Sequence, residues 1–126
     1  MMTNWFVVAA GLLAGLTAFV HVIAGGKDVA RPLLASAIDE VVKLTLYACW
    51  HLVSVALFLC AFALLGHGAG FYHSPQTVAF VAIMWLLFGV VFLVVTLVVA
   101  KPGGLFRFPQ WVLLLPVGVL GLCGLA

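Results

Sequence analysis

Charge is what this sequence has least of. Only 6% of its 126 residues are charged, five Lys or Arg and three Asp or Glu. A soluble domain carries about 25%. With 67% of the chain hydrophobic, a water-soluble fold would lack the polar groups to cover its surface. The solvent for most of the chain is therefore expected to be lipid. A net charge of +2 leaves no basic footprint for nucleic acid, and the basic residues read instead as topology signals. Cysteine is scarce too. Cys49, Cys60 and Cys123 stand singly in apolar runs without CxxC spacing, as small core residues do. There is no Walker loop, dinucleotide fingerprint, HExxH or GxSxG, which removes the common nucleotide, zinc-protease and serine-hydrolase motifs. Met1 to Asn4 carry no Lys or Arg, so the positive region of a signal peptide is missing and the first apolar run reads as a retained helix.

What is present is a series of apolar runs. Residues 5–24 form the first, about the 20 residues that cross a bilayer core, and Gly25-Gly26 reads as its helix stop. Pro32 suits the first turn of a new helix. From 32 to 43, Leu33, Leu34, Ala37, Ile38, Val41 and Val42 share one face, and Ser36, Asp39, Glu40 and Lys43 the other. That pattern predicts an interfacial or cytoplasmic helix leading into a second span at 44–65, with or without a break near Lys43. A neutral loop follows over 66–75, then a third span at 76–100 and a fourth, containing Pro116, at 111–125. The expected fold is an all-α four-helix transmembrane bundle in a single domain.

Four spans put all eight charged residues on one side: Lys27, Asp28, Arg31, Asp39, Glu40, Lys43, Lys101 and Arg107. The positive-inside rule makes that side cytoplasmic and both termini non-cytoplasmic. The expected location is a bacterial inner membrane, crossed several times. Trp5 and Tyr72 then mark the outer interface, and Phe106 and Trp111 the inner one. Gly11-x-x-x-Gly15 in the first span, and Gly118, Gly121 and Gly124 in the fourth, allow close helix approach. Packing inside the monomer is the plainer use of these faces, and a homo-oligomer seam the sharper one.

Glu40, Lys43, Tyr47, His51 and Ser54 step by three or four along the second span, with Trp50 beside them. Such a stripe is costly in lipid and is expected to face the bundle interior or a wet cavity. His21 lies four residues before Gly25, also in the cytoplasmic half. The plain reading is that each histidine bonds a backbone carbonyl or a hydroxyl such as Thr17, Tyr47 or Ser54. The leading functional reading is non-enzymatic. It is a cytoplasm-facing polar pocket of His21, Arg31, Glu40, Lys43, Tyr47, Trp50, His51, Ser54 and Arg107, with Lys101 contributing charge. This pocket would bind a lipid headgroup, a small anion or a partner protein. The runner-up is a haem- or metal-binding redox protein with His21 and His51 as ligands, although the two differ in depth. A third reading is a small oligomeric transporter, for which the outer half offers almost no polar lining. His67 and His73 lie in the opposite loop and make at most a weak metal site.

The segments HVIAGG at 21–26, TLYACWH at 45–51 and FPQW at 108–111 resemble a pattern from small four-helix membrane proteins of bacteria, a resemblance that brings no activity with it. The four-helix layout alone is similar to the small multidrug transporters. Those carry a carboxylate within their first helix, and this first span has none.

Overall fold

A computed structural model describes residues 2–98 and 104–126 of the chain. All regular structure among the described residues is helical. Helix α1 spans Trp5–Val20, a π-helical segment His21–Ala30 continues it, and α2, Arg31–Ala35, completes the same rod. Helix α3 spans Glu40–Gly68, α4 Pro75–Val98, α5 Gly104–Arg107 and α6 Trp111–Cys123. Three of these are long and apolar enough to cross a membrane: the rod Trp5–Ala35, α3 and α4. Helix α6 is apolar but has 13 residues, about 20 Å at 1.5 Å per residue.

The first connection differs from the expectation. Gly25-Gly26 does not stop the helix. A glycine stop needs a left-handed residue after the last turn, and the only positive φ among the described residues belongs to Gly70. The chain instead widens into π geometry, with the Arg31 amide donating to the Gly26 carbonyl. The predicted helix 32–43 is likewise not one element. It breaks at Ser36–Asp39, where capping chemistry outweighs the amphipathic pattern. Ser36 turns extended, at ψ 155°, and its hydroxyl donates to Leu33 O at 2.6 Å. The Asp39 carboxylate accepts from the amides of Val41 and Val42 at 3.0 and 3.3 Å, an N-cap that starts α3.

The second connection is a close turn. Gly70, at φ 82°, follows α3, the Phe71 amide donates to Gly66 O at 2.9 Å, and that of Gly70 to His67 O at 3.0 Å. This pair of bonds is a Schellman motif. Ser74 then caps α4, its carbonyl accepting from Thr77 and Val78.

Helix α1 packs against α3 on one side and α6 on the other, and α4 packs mainly on α6 and only sparsely on α3. Small residues make these contacts. A Cβ at Gly11 would fall 2.9 Å from Leu65 N, and one at Gly15 would lie 3.9 Å from Ala61 Cβ. Gly118 and Gly121 meet Ala82 of α4, and Gly124 meets Val7 of α1. The glycine faces of both helices are thus used within the chain. The core is small-residue-rich, with Ala10, Ala14, Ala18 and Ala61 around Val7, Leu57, Leu64, Trp85 and Val117. The large apolar side chains point outward: only 33%, 28% and 28% of the most apolar stretches of the three long helices are buried.

Asn4 ties three helices at the uncharged end. Its Oδ1 accepts from Val7 N at 3.2 Å, its Nδ2 donates to Gly124 O at 2.6 Å, and its amide donates to Gly68 O at 2.9 Å. Asn4→Ala is expected to cost about 1–2 kcal/mol, the loss of a cap plus a stranded carbonyl, in denaturant unfolding from detergent micelles. Asn4→Asp keeps the cap acceptor but has no donor for Gly124. Full stability in that variant would show that the link to α6 contributes nothing.

Candidate functional site

The site is built around Trp50. The π segment brings Gly25 and Gly26 to α3, and the Trp50 indole lies against them. A Cβ at Gly25 would sit 3.7 Å from Trp50 Nε1, and one at Gly26 3.8 Å from the indole edge. His21, at the start of the π segment, stacks on the indole with centroids 4.8 Å apart and planes at 22°. Its Nε2 donates to Trp50 O at 3.3 Å. Ser54 donates its hydroxyl to the same carbonyl at 3.0 Å. Tyr47, one turn earlier, is parallel to the indole at 6.3 Å. His51 sits at the edge of this group, 4.6 Å from Tyr47 and 4.9 Å from Trp50, nearly perpendicular to both.

Beside the aromatic cluster lies an open cleft of about 350 Å³ between the π segment with α2 and the first half of α3. Its floor is Trp50 and Tyr47, its wall Val22, Ile23 and Leu34, and its rim Lys27 and Arg31. Gly26 and Ala30 supply the small surfaces that leave the space open. Lys27 and Arg31 are four residues apart on a continuous helix, so both cations project along one side.

The structure thus brings together some of the expected residues and separates others. His21, Tyr47, Trp50 and Ser54 form one cluster, and Arg31 joins Tyr47 and Trp50 in the cleft. Ser54 is buried, but Glu40 and His51 are exposed and Lys43 is half-buried away from the cleft. The stripe therefore does not face inward as a unit. Its inner end turns into the bundle, while His51 and Glu40 point out. Lys101 and the Arg107 side chain lie outside the described residues. Lys27 was not among the expected site residues. The signal for it was the i, i+4 spacing to Arg31, hidden by the reading of Gly25-Gly26 as a stop.

These contacts constrain the chemistry. The Trp50 carbonyl can only accept, so His21 carries its proton on Nε2 and has Nδ1 left as its free lone pair. A metal at His21 would have to use Nδ1. Trp50 lies against both histidines, and the ring contacts run from His21 to Trp50 and from Trp50 to His51. Among the described residues no group of three or more His, Cys, Asp or Glu side chains is placed to hold a metal ion. The Ser54 hydroxyl is spent on a main-chain carbonyl. What the cleft offers is two cationic side chains, Lys27 and Arg31, in one lining with the aromatic rings of Tyr47 and Trp50 and the apolar Val22, Ile23 and Leu34. A comparison with family models, curated proteins and solved structures finds no match to this chain.

Proposed function

We propose that this chain is a multi-pass protein of a bacterial inner membrane, a bundle of three full spans and the shorter α6. Its charged end lies in the cytoplasm and both termini lie outside. We propose further that its cleft binds the anionic headgroup of a lipid as a non-enzymatic ligand site. Large apolar side chains such as Leu12, Leu59, Phe62 and Phe80 are exposed all around the helices. Soluble proteins rarely expose such continuous apolar surface, and small residues inside with large ones outside suit packing in lipid. The orientation rests on the sequence asymmetry of Lys and Arg, and Trp5 and Tyr72 at the uncharged end fit an interfacial belt.

The observation that carries the ligand reading is the cleft itself. Lys27 and Arg31 stand at its rim beside Trp50, with Val22, Ile23 and Leu34 on the wall. A lipid phosphate pairs with the cations, and its glycerol and first methylenes pack on the wall and floor. The test is native mass spectrometry of the purified full chain with phosphatidylglycerol or phosphatidylcholine added in equal amounts. Selective retention of the anionic lipid is expected. Equal retention of the two, or retention of neither, refutes the reading. A reporter at the C-terminus that is active only when cytoplasmic refutes the orientation.

A further inference from the structure

At the opposite end of the bundle from the cleft, the link between α3 and α4 runs through one imidazole. His67, in the last turn of α3, is buried at 7% exposure. Its Nδ1 accepts the Ser74 amide at 3.0 Å. An acceptor Nδ1 places the ring proton on Nε2. Ser74 is also the cap of α4: its carbonyl takes the Thr77 and Val78 amides at 3.1 and 3.3 Å, and its hydroxyl pairs with Thr77 Oγ1 at 2.7 Å. Direct packing between α3 and α4 is sparse, so this bond is a principal tie between the two helices at this end.

A second proton on His67 has only Nδ1 to occupy. Two donors, Nδ1–H and the Ser74 N–H, would then face each other at 3.0 Å. The bond cannot survive that, and a charged His67 would also sit 5.3 Å, ring to ring, from His73. No Asp or Glu side chain is at hand to hold the charge. The sequence has no Asp, Glu, Lys or Arg before Lys27, between Lys43 and Lys101, or after Arg107. Helix α1 meets this end through Asn4, Val7 and Val8, α6 through Gly124, and α4 through Gln76 and Thr77. The titratable side chains there are His67, His73, Tyr72 and Cys123.

We infer that His67 is a proton-sensitive latch: neutral, it holds the cap of α4 to the end of α3, and protonated, it releases that cap and opens the seam between the two helices. This inference does not rest on the lipid reading of the cleft. The sign follows from proton counting. The released form binds one more proton than the latched form, so acidification favours release.

Hydrogen–deuterium exchange of the full chain in detergent micelles, corrected for the intrinsic rate, tests it at about pH 7.5 and about pH 5. A histidine titrating near its ordinary value of about 6.5 in the released form shifts the opening equilibrium about thirtyfold over that range. Protection of the amides of Ser74, Thr77 and Val78 is expected to fall by that factor in the wild type. In His67→Asn the side-chain oxygen takes the place of Nδ1, accepts the same amide and does not titrate, so protection is expected to be the same at both pH values. His73→Gln is expected to keep the response. Unchanged wild-type protection, or an equal fall in His67→Asn, overturns the latch. Should His67→Asn not fold, nitrogen NMR of the wild type decides: the Nε2–H tautomer at neutral pH is expected, and the Nδ1–H tautomer overturns it.

Discussion

Gly118→Val is expected to be the most damaging single replacement in the bundle, costing about 3 kcal/mol in unfolding from detergent micelles. A Cβ at this buried position would fall 2.5 Å from Leu86 Cγ and 2.6 Å from Ala82 O. The leucine can rotate. The Ala82 carbonyl belongs to the backbone of α4 and cannot, so α6 has to move away as a whole. Gly121 is on the same seam, with a Cβ there 2.9 Å from Ala82 Cβ, and a displaced helix loses that contact as well. Overpacking of a close-packed interior costs about 1–3 kcal/mol, and a clash with main chain belongs at the upper end. Gly15→Ala is the control. Its Cβ would sit 3.9 Å from Ala61 Cβ, at ordinary contact, and stability is expected to change by less than about 0.5 kcal/mol. Equal losses in the two variants would mean that helix approach at Gly118 is not what stabilises α4 against α6.

The helices themselves were legible because apolar runs of membrane-crossing length leave so few options. A backbone in hydrocarbon must satisfy its own hydrogen bonds, so each long apolar run becomes a helix. The observed starts at Trp5, Pro75 and Trp111 fall at or beside the expected 5, 76 and 111. The first connection was less legible. Gly25-Gly26 is a helix stop only if one glycine turns left-handed, and nothing local decides between that and a widened turn. Here the Trp50 indole lies on the glycines, an interaction 24 or more residues away in sequence and hence invisible to any window. The real break, at Ser36–Asp39, was written in the sequence as a serine and a capping aspartate, but both also fitted the polar face of an amphipathic helix.

The site was half legible for a related reason. Periodicity shows which residues of a helix share a face, but not the direction in which that face points. The steps from Glu40 to Ser54 did identify a stripe, and Tyr47 and Ser54 do turn toward the first rod. Trp50 is what the rod receives, however, and the indole occupies the place where His51 was expected to meet His21. Lys27 lines the cleft only because the rod continues past Gly26, so an error about one helix end became the omission of one cleft residue. The plain reading of His21, a ring bonded to a backbone carbonyl, matches the contact with Trp50 O.

Replacing both rim cations, Lys27→Gln with Arg31→Gln, is expected to weaken binding of phosphatidylglycerol about thirtyfold. Each Lys or Arg near an anionic headgroup contributes about 1 kcal/mol, and every 1.4 kcal/mol is tenfold in affinity, so two of them account for the factor. The readout is titration of the detergent-solubilised chain with the lipid. Lys43→Gln removes the same charge from the same end of the molecule, but Lys43 does not line the cleft. Its effect is expected to stay within twofold to threefold and to shrink at high salt, because a charge outside the cleft acts only through a field that salt screens. Trp50→Ala adds a separate test. It leaves every cation in place and removes the floor, so it is expected to weaken the lipid while leaving the salt dependence of binding unchanged. If Lys43→Gln weakens binding as much as loss of Lys27 or Arg31 alone, the lipid is reading the net charge of the charged end, and the cleft has no role as a site. If the rim variants act and Lys43→Gln does not, recognition belongs to the two cations that the continuous first rod brings beside Trp50.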